Sequence, residues 1–305
     1  MNKIVLTGPT GAIGIAMIQQ CIQEGIEVYA ICRRNSERIR NIPQNPLVHI
    51  LECNLDEIKS FKKIGCSACD VFYHLGWNAT IGDGRNDMDL QLQNIQYTLD
   101  AVRLAKRLGC KVFVGAGSQA EYGRYEGKLD AKVPVFPENG YGIAKLCAGQ
   151  MSRLECYKME MDHVWARILS VYGPYDGDKT MLISLIEKLL RGERPALTGG
   201  EQRWDYLYSA DAAKALILLG ERGINGKTYC IGSGNAMPLF DYIHMTRDAI
   251  APEAELGIGE IPYREKQVMN LCADISELTK DTGFFPEISF EDGIRKTITW
   301  VKMRK

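Results

Sequence analysis

The sequence predicts an α/β protein built on a doubly wound parallel sheet, with a smaller mixed α/β region on the C-terminal side. Three observations predict it. Short apolar runs alternate with longer helix-like stretches up to about residue 170. A glycine-rich turn joins the first run to the first stretch. After Gly173-Pro174 the alternation breaks and turn-forming residues multiply. Strands that read as unbroken apolar runs are buried on both faces, and right-handed crossovers then place helices on either side of the sheet.

Each element has its own warrant. "KIVLTG" is a strand, and "AIGIAMIQQCIQEG" a helix ended by Gly25. "EVYAICR" is a second strand, "VHILECN" a third, and Asp70–Leu75 a fourth. Residues 88–108 form a long helix stopped by Gly109. "KVFVGAGS" is a fifth strand, "YGIAKLCAGQMSRLECYKM" a helix, and "DHVWARIL" a sixth strand. A helix over 180–191 follows, then turn formers in "GERPALTGGEQRW". A strand–helix pair in "DYLYSADAAKALILLGER" and a strand in "KTYCIG" return to the earlier rhythm. The expected division is 1–170 with about 205–232 in the main sheet domain, and about 171–204 and 233–305 in a smaller second domain.

Composition narrows the function. The 305 residues carry a net charge of -1, which argues against nucleic acid or an anionic membrane surface as partner. No apolar run reaches a membrane span, and a cleaved leader would remove the glycine motif, so the expected compartment is the cytoplasm. The ten cysteines are too dispersed for a disulfide framework, and Cys21, Cys147 and Cys230 read as small buried hydrophobes. Cys66 and Cys69 lack a second ligand pair, so no metal is expected.

The turn "TGPTGAIGIA" carries Gly8, Gly11 and Gly14, with Thr10, Ala12 and Ile13 between them. A helix N-terminus presents unpaired N–H groups and the positive end of a dipole. Gly8 permits the turn, Gly11 lets backbone approach a pyrophosphate, and Gly14 lets helix and strand pack closely. The second strand ends in Cys32, not in the Asp or Glu that binds the ribose hydroxyls of NAD. Arg33 and Arg34 follow, with Arg38 later, and two guanidiniums suit the 2′-phosphate of NADP. A solvated basic loop is the plainer reading, with NAD as the alternative cofactor.

"YGIAK" places Tyr141 and Lys145 one helical turn apart. An ammonium beside a phenol lowers its pKa and fits it for proton transfer near neutrality. Ser118 ends the fifth strand, at the edge of the sheet where ligands sit.

These residues resemble the extended short-chain dehydrogenase/reductase family, the nucleotide-sugar epimerase, dehydratase and reductase group on a Rossmann sheet. The likeness extends to "DVFYHLGW", "NIQYTLDAVRLAK", "RILSVYGP", "GGEQRWDYLYSADAAKA" and the C-terminal close. The resemblance implies that Tyr141 is proton donor or base, that Lys145 tunes it and holds the nicotinamide ribose, and that Ser118 orients the substrate oxygen. It implies that Leu75 and Gly76, ending the fourth strand, lie along the cofactor. It implies that Gln119, Ser170, Trp204 and Arg264 face a nucleotide-sugar substrate, with Arg264 on phosphate. A homodimer through the helices around 88–108 and 141–158 is implied as well.

Departures from the pattern refine this. The Asp-Glu pair that dehydratases carry after the catalytic Ser/Thr is Gln119-Ala120 here, with Glu121 one place late. Ser170 replaces an asparagine and Trp204 an arginine; Trp204 reads either as a stacking surface or as packed core. The arginines after the second strand favour an exchangeable NADPH, and so net reduction of a 4-keto-6-deoxy nucleotide sugar. A 4-epimerase holding NAD is the alternative. A cofactor-binding sensor without turnover is disfavoured because Tyr141 and Lys145 are both kept.

Overall fold

The computed structural model describes residues 1–61 and 68–304. In chain order the strands are β1 (Lys3–Thr7), β2 (Glu27–Cys32), β3 (Val48–Glu52), β4 (Val71–His74), β5 (Val112–Ser118), β6 (Asp162–Ile168), β7 (Ser170–Tyr172), β8 (Arg203–Trp204), β9 (Tyr206–Tyr208), β10 (Thr228–Ile231), β11 (Met237–Pro238) and β12 (Asn270–Leu271). The α-helices are α1 (Ala12–Gln23), α2 (Met88–Arg107), α3 (Gly140–Lys158), α4 (Met181–Leu190), α5 (Ser209–Arg222), α6 (Leu239–Asp248), α7 (Ser276–Thr282) and α8 (Phe290–Met303).

Seven strands form one sheet in the order β10-β6-β5-β4-β1-β2-β3, with every pair parallel. This is the Rossmann order extended by β10 at the far edge. From β1 the chain winds outward through β2 and β3, then returns to lay β4 on the other side of β1. The crevice where the winding reverses lies at the C-terminal ends of β1 and β4, the place such sheets offer a ligand.

Side chains alternate across each strand. Ile4 and Leu6 of β1 pack with α1 and α5 residues such as Ile15, Ala212 and Leu216. Val5, between them, packs on the other face with Ala101, Val102 and Leu104 of α2. Two cores therefore flank one sheet, as the continuous apolar strands require. Helices α2 and α3 start on side-chain caps: Asp87 accepts from Leu90 N at α2 and Asn139 from Gly142 N at α3. Cys21 and Cys230 are buried as expected, but Cys147 is only half-buried, on the outer side of α3. Cys69 is buried in the α2-side core, while Cys66 lies outside the described residues.

The remaining elements gather beside the C-terminal edge. β7 pairs with β9, and β8 lies between β11 and β12 in a three-stranded sheet. Helices α4 and α8 bury Leu182, Ile183, Ile186, Ile294 and Ile298 against Tyr172 and Tyr208. Short strands need other ties, and two carboxylates provide them. Asp205, fully buried, accepts from the amides of Ser233, Gly234 and Ala273. Asp211 accepts from the amides of Glu287 and Ile288. Buried carboxylates are stable when backbone N–H groups satisfy them in this way.

Candidate active site

The glycine turn shows which demands the protein itself makes. Gly8 has φ 72°, and a Cβ there would lie 2.9 Å from Gly76 N. At Gly14 a Cβ would lie 2.4 Å from Gly8 O and 2.7 Å from Pro9 Cα, so helix–turn packing fixes that glycine. Gly11 differs: its Cβ would meet no protein atom closer than 4.0 Å. Gly11 is the N-cap of α1, which has no side-chain cap and no acidic residue in its first turn. An open, uncapped helix N-terminus beside a tight turn fits a pyrophosphate.

Two cavities meet at this turn. One, about 590 Å³, is walled by Thr10, Arg33, Arg34, Arg38, Gly76 and Tyr97. It suits the adenosine half of a dinucleotide. Its arginines are not equivalent. Arg34 pairs with Glu57 at 2.9 Å, and Arg38 donates to Tyr175 O at 2.8 Å. The exposed Arg33 side chain has no hydrogen bond or ion pair among the described residues. Cys32 donates its thiol to Ala30 O, and burial pushes that thiol up to about 12. Both guanidiniums stand in the wall of this cavity, Arg33 uncommitted and Arg34 already meeting Glu57 through Nε.

The second cavity, about 330 Å³, brings Gly11, Ala12, Ile13, Gly14 and Leu75 together with Ser118, Tyr141 and Lys145. β5 delivers Ser118, and α3 delivers Tyr141 and Lys145 one turn apart. Lys145 Nζ donates to Ala116 O at 2.6 Å and lies 3.8 Å above the Trp77 ring. Trp77 meets Tyr141 edge-on at 6.1 Å, and the Arg85 guanidinium covers the Tyr141 ring at 4.5 Å.

The electrostatics run against the expected lowering of the phenol. Burial raises Tyr141 above its ordinary value, while its hydrogen bond with Ser118 and the Arg85 charge oppose the rise. Burial also brings Lys145 down to about 7, with Glu121 pulling the other way. The physical reason is placement: Lys145 spends its ammonium on Ala116 O and Trp77, and desolvation dominates.

The roles of Glu121, Trp77, Arg85 and Asp176 escaped the sequence reading. Glu121 accepts from Ser118 N at 2.9 Å, from Trp165 Nε1 at 3.0 Å and from Arg167 Nε at 2.7 Å, all within the interior. Its register one place late is the register that fixes Ser118 from behind. Asp176 lines this second cavity and also an adjoining chamber of about 250 Å³.

Ser170 and Trp204 both line that chamber, and Trp204 Nε1 donates to Ser170 Oγ at 2.7 Å. Arg203 points away, donating to Ala236 O, as strand alternation requires. Gln119 is half-buried and Arg264 exposed, and neither lines the cavities described above. Among the described residues no helix is long and apolar enough to cross a membrane, and no cluster of three metal-ligating side chains occurs.

Residues 4–232 match the family model described as the NAD dependent epimerase/dehydratase family. The chain is 23% identical to the uncharacterized UDP-glucose epimerase YtcB of Bacillus subtilis (strain 168), over 98% of each chain. Two solved structures share the fold. The UDP-N-acetylglucosamine 4-epimerase from Methanobrevibacter ruminantium M1, in complex with UDP-N-acetylmuramic acid, superposes with TM-score 0.89 at 23% identity over 100% of this chain and 99% of that one. The UDP-glucuronic acid 4-epimerase from Bacillus cereus, in complex with NAD, gives 0.85 at 20% identity over 99% and 97%.

Proposed function

The chain belongs to the NAD dependent epimerase/dehydratase family, and from that premise we propose that it is an NADPH-dependent ketoreductase of nucleotide sugars. Its substrate is a 4-keto-6-deoxyhexose carried on a nucleoside diphosphate. The observation that carries this reading is the end of β2. A neutral Cys32 stands where NAD binding wants a carboxylate, and the uncommitted Arg33 stands next to it in the cavity wall. A phosphate-bearing ribose suits that wall better than a bare hydroxyl.

Gly8, Gly11 and the first turn of α1 would hold the cofactor's pyrophosphate, and Leu75, Gly76 and Lys145 its nicotinamide half. When bound, the nicotinamide supplies the hydride. Ser118 holds the carbonyl oxygen of C4, and Tyr141 gives its phenolic proton to that oxygen as the alkoxide forms. A phenol raised by burial keeps its proton until then. Lys145 is placed behind Tyr141 on the same helix face. Residues of about 171–204 and 233–305 serve as the substrate domain.

A 4-epimerase holding NAD is the second reading. It is favoured by the commitment of Arg34 to Glu57, which removes one candidate phosphate ligand. Standard 4,6-dehydration is not proposed, because Gln119 and Ala120 supply no carboxyl and Glu121 is consumed behind the strand. We also propose a homodimer, because Met88, Leu92, Ile143, Met151, Leu154 and Tyr157 form an exposed apolar set on α2 and α3.

The test is NADPH oxidation with a panel of 4-keto-6-deoxy sugars on UDP, dTDP, CDP and GDP. Tyr141→Phe abolishes turnover and leaves NADPH binding nearly intact. Full activity in that variant removes Tyr141 from the mechanism. Conversion of a UDP-hexose to its C4 epimer without net cofactor use establishes the second reading.

A further inference from the structure

The chamber beside the catalytic cavity is walled by Ser170, Thr180, Met181, Trp204 and Tyr206, with Asp176 at the junction of the two spaces. Among the described residues no basic side chain lines it. The two positions where the resembling pattern has an asparagine and an arginine are Ser170 and Trp204, and they satisfy each other. Charge in this chamber therefore comes from a carboxylate alone.

Asp176 is built in with care. Tyr175, immediately before it, adopts φ 67°, a left-handed conformation disfavoured outside glycine. Packing holds that conformation: the Tyr175 ring lies 5.2 Å from Trp300, and Arg38 donates to its carbonyl. Asp176 N donates to Gly173 O at 3.3 Å, and Gly177 N donates to Asp176 Oδ1 at 2.8 Å. No ion pair of Asp176 occurs among the described residues. Burial pushes its carboxyl above the usual range, against the Gly177 amide, Thr180 and the more distant Arg38. A half-buried carboxylate with one oxygen on the Gly177 amide, set at the junction of two cavities and without an ion pair among the described residues, is placed to accept a donor from the ligand.

We propose that Asp176 is a specificity-determining residue that accepts a hydrogen bond from a hydroxyl or amino group of the substrate's hexose. The inference rests on the nucleotide-sugar reading above. A diphosphate is the wrong neighbour for a carboxylate, so Asp176 faces the sugar and the phosphates pass elsewhere. The donor's two sources differ in charge. A hydroxyl needs only an acceptor, whereas an ammonium needs the negative charge too.

The experiment measures binding to the wild type, Asp176→Asn and Asp176→Ala by calorimetry in saturating NADP. The probes are UDP-, dTDP- and CDP-glucose, their 4-amino-4,6-dideoxy counterparts, and the free nucleoside diphosphates. NADP affinity and the thermal midpoint report folding. Asp176→Ala is expected to weaken the sugar nucleotides at least tenfold and the free diphosphates less than twofold. Asp176→Asn retains binding if the donor is a hydroxyl and loses it for the amino sugars if the donor is an ammonium. Equal affinities in the wild type and Asp176→Ala overturn the role of Asp176 while leaving the function standing. Failure of every sugar nucleotide to bind the wild type overturns both.

Discussion

The carboxylate of Glu121 accepts the backbone amide of Ser118 at 2.9 Å, from a side chain with no exposed surface. The same carboxylate faces Arg167 at 2.7 Å. Ser118 is therefore fixed through a buried ion pair between the turn that follows β5 and Arg167 of β6. Removing one partner of such a pair costs roughly 3–5 kcal/mol, because the other is left charged in the interior. Glu121→Gln should lower the thermal midpoint by several degrees and reduce kcat. Glu121→Gln combined with Arg167→Met should restore most of the stability, since it removes the orphaned charge. Thermal unfolding of the three proteins checks this, and full additivity of the two changes would refute the coupling.

Gly11 and Gly14 should separate on substitution. Gly14→Ala drives a Cβ to 2.4 Å from Gly8 O, so both fold stability and cofactor binding fall. Gly11→Ala meets no protein atom closer than 4.0 Å, so it should unfold like the wild type yet bind cofactor at least tenfold more weakly. Differential scanning fluorimetry with and without NADPH measures both. Normal cofactor binding in Gly11→Ala would move the pyrophosphate away from this turn.

Arg33 and Arg34 should also separate. Arg33→Ser should lower NADPH affinity about tenfold or more while leaving NADH within twofold. Arg34→Ser breaks an exposed pair with Glu57 and should change stability by less than about 1 kcal/mol, with little effect on cofactor preference. Fluorescence titration with both reduced cofactors checks the pair. An equal response to NADH in Arg33→Ser would contradict its assignment.

Acid should destabilise the fold through His74. Burial is the main cause that depresses its pKa to about 3 from 6.5, with the Lys145 charge adding to it. Its Nδ1 meets Thr7 Oγ1 at 2.9 Å. A depressed base binds fewer protons folded than unfolded, so stability rises with pH across that interval. The contribution is fully present above pH 6.5 and declines as pH falls toward about 3, by an amount on the order of several kcal/mol. His74→Asn should flatten that part of the curve relative to the wild type. Urea unfolding at pH 7.5, 6, 5 and 4 measures it, and parallel curves would contradict the burial of a neutral imidazole.

The sheet was legible because its strands are continuous apolar runs and its turns carry glycine. The glycine triplet, Ser118, Tyr141 and Lys145 were legible for the same reason: each follows a strand or opens a helix at a fixed offset. The role of Glu121 was not, since its partner Arg167 is 46 residues away and only the β5–β6 register brings them together. Asp176 escaped because it depends on a left-handed Tyr175, which leaves no sequence periodicity. The lowering expected at Tyr141 failed because sequence spacing puts Lys145 nearby but does not say where its ammonium goes. The two-residue strands β8, β11 and β12 are set by tertiary clamps such as Asp205, not by any local pattern.

The most direct test of the account concerns the cofactor of the purified protein. The protein is denatured, any released nucleotide is identified, and fresh protein is titrated with NADPH and NADH. The account predicts weakly held, exchangeable cofactor with a clear preference for NADPH. Stoichiometric NAD that survives gel filtration would contradict it and leave the epimerase reading in its place.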